Sequence, residues 1–324
     1  MAEVLENIIK TLKEKKDDYT SGEELAKQLN ISRVAVWKYI QKLKSEGYHI
    51  KSVPNKGYCL LGNSDLLLPW EIKAKLQTSL IGHEIHYFKE VNSTQDIAKR
   101  LASEGAREGT IVVAERQTNG RGRMGRDWFS PSGGVWLSII LRPRFNPRIQ
   151  GLTLLAGVAV ARAIKRLYNL EAKLKWPNDV ILNGKKVCGI LAEVNAEMDL
   201  INYLVIGIGV NVNVDLSSEK RLRETATSIK EVIGKESSRV DFLQILLEEF
   251  EHLYRLFAVE GFGSILNEWR GRSETLGALV SVTSVDEEFE GLALNVDGEG
   301  FLIVKLRDGS LKRVVAGDVR IMKA

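Results

Sequence analysis

Cysteine and histidine are scarce in this chain: two of the first and four of the second among 324 residues. Cys59 and Cys188 lie far apart, with no C-x-x-C spacing and no histidine nearby, so neither a disulfide framework nor a zinc site is indicated. His49, His83, His86 and His252 fit no catalytic or metal signature, and no Ser-His-Asp set or conspicuous carboxylate pair emerges. No stretch reaches the roughly 18 uncharged apolar residues of a membrane span. The opening MAEVLENIIKTLKEKKDD mixes acids and bases where a signal peptide has a basic start and an unbroken apolar core, so the cytoplasm is the expected compartment. A composition 44% hydrophobic and 27% charged is that of a globular protein and excludes disorder and fibrous repeats. At about 150 residues per domain the length predicts two domains, or three with a small accessory one.

Net charge is also low, +4 from 46 basic and 42 acidic residues, but the average conceals blocks. Residues 1–62 carry a net +3, residues 63–272 a net +4 and residues 273–324 a net −3. The sharpest block runs from Arg33 to Lys56, with six bases (Arg33, Lys38, Lys42, Lys44, Lys51, Lys56) against one acid, Glu46. Alone it would be read as a solvated helix face.

Its context says more. Val4, Leu5, Ile8, Ile9 and Leu12 recur at helical spacing. Ser21 with Glu24 reads as a capping box opening a helix over 22–29, and Ser32 caps a second helix that runs to Glu46 and stops at Gly47. Val36, Ile40 and Leu43 face inward, leaving Arg33, Lys38, Lys42 and Lys44 largely outside. Residues 48–53 and 58–61 then form a two-stranded ribbon turning at Pro54–Gly57, with Lys56 at its tip. This is a winged helix-turn-helix, in which a helix enters the major groove while bases hold phosphates. Ser32, Arg33, Lys38, Lys42, Lys44 and Lys56 are the candidate DNA-binding residues.

After an expected hinge over 63–68, the pattern turns to mixed α/β, with helices over 69–76, 94–104, 149–167 and 240–259. Strands are expected over 111–115, 135–141, 173–176, 187–194 and 203–212. Asn183-Gly184 between apolar runs marks a type I′ hairpin, so the sheet is partly antiparallel. Residues 278–285, 289–295, 301–306 and 311–315 alternate in hydrophobicity around Asp-Gly turns, as in a small all-β domain.

The most unusual composition is E-R-Q-T-N-G-R-G-R-M-G-R-D-W-F-S-P-S-G-G over 115–134, with five glycines and four arginines in twenty residues. Gly120 to Gly125 match G-x-G-x-x-G, but no helix pattern follows as a dinucleotide fingerprint requires. The segment reads instead as a loop able to bring guanidiniums around a carboxylate or phosphate, or as a mobile basic surface loop. Trp128 beside it covers an adenine or anchors the loop base. K-W-P-N-D at 175–179 is followed by Lys185-Lys186, which alternate faces so that only one ammonium reaches a pocket. Asn178 and Asp179 are turn residues or ligands, Ser93-Thr94-Gln95-Asp96 a helix cap or a ligand site, and Gly207-Ile208-Gly209-Val210-Asn211 a strand that a ligand can approach closely. Such equipment suits substrates that react with one another while the protein positions them and neutralises charge.

E-R-Q-T-N-G-R-G-R-M-G-R-D-W, K-W-P-N-D and K-V-C-G-I-L-A-E closely resemble biotin–protein ligase, and with the winged helix in front the whole chain resembles the bifunctional ligase and biotin operon repressor. The resemblance implies an α+β multidomain fold: winged helix-turn-helix (1–62), a central mixed α/β catalytic domain related to class II aminoacyl-tRNA synthetases and lipoate ligases (63–272), and an SH3-like C-terminal β-barrel (273–324). It implies that biotin and ATP, with Mg²⁺ assisting, give biotinyl-5′-adenylate, and that a lysine of the biotin carboxyl carrier protein then displaces AMP. Ser93, Thr94, Gln95, Gln117, Gly120, Arg121, Gly122, Arg123 and Lys186 would bind biotin, and Trp128, Asn178, Gly189 and Asn211 the nucleotide. Lys186, Arg121 and Asp179 would be catalytic, with no resident metal ligand set. Adenylate would favour a homodimer that reads operator DNA, with no membrane partner. Two departures stand out: the family's usual Ser-Thr-Asn is here Ser-Thr-Gln, with Gln95 third, and Cys188 occupies the place of a small residue such as alanine. The alternatives are a repressor without ligase activity and a lipoate-type ligase.

Overall fold

The computed structural model describes all residues except 1, 16–17, 63–64, 146–147, 198–199, 218, 285–286 and 323–324. Contacts divide the chain into two units, residues 1–66 and 67–324.

In the first unit, helices α1 (Ala2–Glu14), α2 (Gly22–Leu29) and α3 (Arg33–Glu46) precede the ribbon β1 (Ile50–Val53) and β2 (Gly57–Leu60). Leu5, Ile8, Ile9 and Leu12 are buried with Leu25, Val36, Ile40 and Leu43, the apolar stripes expected from their spacing. Ser21 Oγ accepts from Glu24 N at 3.0 Å and Ser32 Oγ from Ala35 N at 3.1 Å, each satisfying a donor at a helix start. The Ser21 capping box is half made, because the Glu24 carboxylate pairs with Lys15 instead. Gly47 ends α3 at φ 115°, a conformation glycine reaches without strain. The wing is antiparallel, Ile50 opposite Leu60 and Val53 opposite Gly57.

The second unit runs α4 (Pro69–Lys73), β3 (Ile85–Val91), α5 (Thr94–Ser103), β4 (Ile111–Gln117), a 3₁₀ turn (Arg123–Gly125), β5 (Val135–Leu141), α6 (Ile149–Tyr168) and β6 (Lys173–Lys175). There follow β7 (Asp179–Leu182), β8 (Lys185–Glu197), β9 (Leu200–Val210), α7 (Ile229–Ile233), α8 (Arg239–Glu260) and α9 (Gly263–Arg272). The chain closes with β10 (Leu279–Thr283), β11 (Glu288–Val296), β12 (Leu302–Lys305), β13 (Leu311–Val314) and β14 (Asp318–Ile321). The large sheet has the order β3-β4-β5-β9-β8-β7-β6, with only β3 and β4 parallel. Asn183 (φ 50°) and Gly184 (φ 74°) both take the left-handed conformation that a type I′ turn requires.

Both faces of this sheet are covered. Val135, Leu137, Ile139 and Leu141 of β5 pack with α6 and α8, whereas Ile140 joins Ala98 and Ala102 of α5. That explains why β5 reads as an unbroken apolar run and not as an alternation. Ser138 is its one polar residue, and it lies at the functional site.

The stretch expected to be a hinge is partly anchored. Its residues 63–64 lie outside the described set, but Leu67 and Leu68 are buried and Leu67 N donates to Glu115 Oε1 at 3.0 Å. Glu115 also holds Arg239 of α8 at 2.6 Å, the arginine buried and the carboxylate largely so. A buried pair of this kind fixes geometry more than it adds stability. Here it ties α4's approach to the strand that carries Gln117.

The C-terminal strands form an antiparallel sheet ordered β13-β12-β11-β10-β14, with β14 beyond the four strands marked by alternation. Val280, Val282, Ala293, Leu302 and Val304 join the same core as β5, α6 and α8, so β10, β11 and β12 are packed onto the segment that carries the large sheet. Trp176 is the fastener: its backbone N–H donates to Thr275 Oγ1 at 2.9 Å and its indole N–H to Gly300 O at 3.0 Å. Strand β3 and helices α7 and α9 escaped the sequence pattern, while the helix expected over 69–76 stops at Lys73. No helix among the described residues is long and apolar enough to cross a membrane.

Candidate functional site

A cavity of about 1520 Å³ opens over the sheet, between α5, the glycine-arginine loop, the segment 216–226 and strand β14. Every candidate ligase residue lines it: Ser93, Thr94, Gln95, Gln117, Gly120, Arg121, Gly122, Arg123, Trp128, Asn178, Asp179, Lys186, Gly189 and Asn211.

One wall is the start of α5. Ser93 Oγ accepts from Asp96 N at 3.4 Å, so the cap is real. Thr94 donates to Gln117 Oε1 through both its N–H (2.8 Å) and its hydroxyl (3.0 Å), and Gln117 Nε2 donates to Ser130 Oγ at 2.9 Å. Capping and site-building are therefore the same residues. Gln95 is buried; its Nε2 donates to Val205 O and its Oε1 lies 3.0 Å from the Ser138 hydroxyl. The longer side chain thus reaches the strands of the floor, and its polar atoms are already engaged there. Ser138 and Ser130 were missed in the sequence; the signal for Ser138 was a lone hydroxyl in an otherwise apolar strand.

The glycine-arginine loop is a closed turn. Trp128 N donates to Gly120 O at 2.8 Å and Gly122 N to Arg126 O at 2.7 Å, around the short 3₁₀ turn. The dinucleotide-fold alternative is excluded, since β4 leads into this turn and then to antiparallel β5. Arg116 lies on β4, and the three arginines of the turn part company. Arg121 pairs with Asp96 at 2.9 Å, and Arg126 pairs with Asp318 of β14, which fastens the loop to the C-terminal sheet. Arg123 turns inward, and its Nη1 is buried with no hydrogen-bond partner. Burial pushes the Arg123 guanidinium below its usual range, with nearby Asp179 opposing that shift. A buried cation short of acceptors is costly unless an anion joins it.

Asp179 opens β7 and Lys186 lies on β8 across the hairpin. Lys186 Nζ is 2.6 Å from Asp179 Oδ1, an ion pair whose angles fall outside those of a hydrogen bond. The same ammonium sits 4.9 Å from the Trp128 ring centroid. Lys185 points the other way and donates to Arg223 O, so period-two alternation sends Lys186 alone into the cavity. Trp128 lies on Gly189 and Gly209, which are register partners on β8 and β9. A Cβ at Gly209 would stand 2.4 Å from Trp128 Nε1, so only glycine admits the indole there. Asn178 Nδ2 donates to Ile190 O at 2.7 Å and Asn211 Nδ2 to Thr227 O at 3.0 Å; both amides hold neighbouring chain in place at the cavity wall. Strand β14, absent from the sequence reading, brings Asp318 and Arg320 to the rim.

Cys188 is wholly buried beneath this site, and burial pushes its thiol up, the neighbouring Lys186 opposing. It packs as a small buried hydrophobe. With Cys59 also buried, neither thiol should react with a disulfide reagent in the folded chain; titration should find two thiols only after denaturation. Rapid labelling of the native protein would contradict that burial.

Full-chain comparison decides the family. The bifunctional ligase/repressor BirA of Bacillus subtilis is 37% identical over 318 residues, covering 97% of this chain and 98% of that protein. The chain belongs to the biotin protein ligase family. Family models agree segment by segment: an HTH domain over 4–59, the Biotin/lipoate A/B protein ligase family over 87–211 and the Biotin protein ligase C terminal domain over 275–322. The BirA of Escherichia coli is 30% identical over 95% of this chain and 94% of that protein. Biotin protein ligase from Aquifex aeolicus, solved with biotin and ATP, superposes with a TM-score of 0.66 at 30% identity, covering 75% of this chain and 100% of that one.

The candidate DNA-binding residues belong to the first unit. Arg33, Lys38, Lys42 and Lys56 are exposed. Lys44 Nζ donates to Ser52 Oγ at 2.9 Å, joining α3 to the wing, and Ser32 Oγ is the α3 cap. Lys56 lies 6.0 Å from the Tyr19 ring.

Proposed function

We propose that the chain is an ATP-dependent biotin ligase that adenylates biotin and passes the biotinyl group to a lysine of a biotin carboxyl carrier protein, and that it also represses transcription by binding operator DNA with the adenylate as corepressor. The observation that carries the ligase reading is the convergence on one cavity of Lys186 and the Arg123 guanidinium, whose buried Nη1 has no hydrogen-bond partner. Two fixed cations beside Thr94 and Gln117 suit a small acid whose carboxylate attacks an α-phosphate. Lys186 would bridge the two reacting anions, Arg123 would neutralise charge beside it, and Arg121, released from Asp96, would close over the bound acid. Trp128, Asn178, Gly189 and Asn211 form the nucleotide wall. Closure of Gly120–Trp128 keeps water from the activated acyl group.

Mg²⁺ binds through one or two carboxylates plus substrate phosphates. Asp179, which lines the cavity beside Lys186, is a carboxylate that would hold it, and the ion would offset charge on the triphosphate. Adenylate-dependent homodimerisation and a cytoplasmic location complete the proposal. Two winged helices would then read a two-fold operator, since half-site symmetry mirrors dimer symmetry.

ATP–pyrophosphate exchange tests the acid: exchange should require biotin and be absent with lipoate or no acid. Exchange with lipoate alone would overturn the biotin assignment, and none with any acid would favour a repressor without ligase activity. Deleting residues 1–62 should spare exchange and remove operator binding.

A further inference from the structure

We infer that Val34 and Trp37 of α3 are the operator-specificity residues, packing on the 5-methyl groups of thymines in the major groove. The inference rests on the repressor reading and names what that surface recognises. Helix α3 buries Val36, Ile40 and Leu43, yet leaves Val34 64% and Trp37 54% exposed on the opposite side. With Lys38 and Gln41, also exposed, they occupy positions i, i+3, i+4 and i+7, which is one continuous helix face.

An indole and an isopropyl group left in water forgo the stabilisation of burial, so the face has an occupant. The flanking charge says which kind. Arg33, Lys38 and Lys42 surround the two apolar residues, whereas surfaces that dock proteins are depleted of lysine. A basic rim around an apolar centre matches a duplex, whose phosphates border the groove. Within the groove thymine alone presents a methyl group, and adenine, its partner, offers the N6/N7 pair that a glutamine amide matches. Gln41 sits one turn along the same face, so these side chains together favour A·T pairs. The bases at the rim fix register without reading sequence. The Lys44–Ser52 bond holds α3 to the wing and so fixes the face relative to Lys56.

The test uses the full chain with biotin and ATP. Selection from a randomised duplex pool supplies the probe, in which single thymines are then replaced by deoxyuridine, removing the methyl and no hydrogen-bonding group. Uracil at the read positions should weaken binding about fourfold per site, the value of one buried methyl-sized group. Trp37→Ala should bind the all-thymine duplex roughly tenfold more weakly, within the range of a lost base contact, and should no longer distinguish uracil from thymine. Its biotin-dependent pyrophosphate exchange and its dimerisation should match the parent chain. Uracil tolerance at every position, or a Trp37→Ala variant that keeps the full uracil penalty, overturns the inference while leaving repression intact. A weaker binder whose defect tracks lost dimerisation would assign the face to a second copy of the chain. Failure to enrich any sequence overturns the repressor reading and this inference together.

Discussion

Lys186→Ala is expected to lower biotin-dependent pyrophosphate exchange by about 100- to 1000-fold, the usual cost of removing a group aimed at charge that develops during reaction. The side chain is well placed for that loss to be chemical. Its ammonium is held 2.6 Å from Asp179 and over the Trp128 ring, at the end of a β8 position whose neighbour Lys185 faces away. It is partly solvated, so removing it should change stability by no more than about 1 kcal/mol, the scale of an accessible ion pair. Thermal unfolding followed beside the exchange assay separates the two. Wild-type exchange in the variant would remove Lys186 from the chemistry, and a collapsed unfolding transition would make it a structural residue.

Gly209→Ala should be nearly as damaging, through crowding alone. The new Cβ would stand 2.4 Å from Trp128 Nε1, a contact real side chains do not make, and 3.0 Å from Cε2. The indole cannot yield the way a flexible chain end can, because its backbone N–H closes the glycine-arginine turn on Gly120. It must tilt off β8 and β9, carrying Lys186's aromatic partner and the loop base with it. Overpacking of this kind costs about 1–3 kcal/mol. We expect kcat/KM for ATP to fall tenfold or more, with a shifted tryptophan emission. Gly271→Ala is the control: nothing lies within 4 Å of its Cβ, so activity should be unchanged. Equal behaviour of the two variants would show that Trp128 does not depend on the glycine floor.

How far the sequence reached follows from the range of each signal. The winged helix was legible to within two residues at the bounds set for it because its determinants are local: serine caps, Gly47, the 3.6-residue apolar stripes and a tight ribbon. The Asn183-Gly184 hairpin was legible for the same reason, and the alternation of Lys185 and Lys186 told that one of them would enter a pocket. The resemblance to biotin ligases then named the reaction, and the matching motifs do line one cavity.

What local signals omit is partnership across the fold. Strand β3, its polar and apolar residues without clear alternation, pairs only with β4 at the sheet edge, so neither a continuous run nor a period marked it. Trp176 looked like part of a site motif, but packing turned it into the fastener of the C-terminal sheet. The glycine-arginine loop showed three equivalent arginines in sequence. Tertiary contacts gave Arg121 to Asp96 and Arg126 to Asp318, and turned Arg123 inward with its Nη1 buried and without a hydrogen-bond partner.

The sequence by itself determined the chemistry available to this protein: which charges it carries, where glycine permits close approach, and which helix presents bases. The tertiary structure decided which of those groups act together. Hydrogen-bonding and charge partners lie up to more than a hundred residues apart, as Gln95 with Val205 and Arg126 with Asp318 do, and only the folded sheet sets them within a few ångströms.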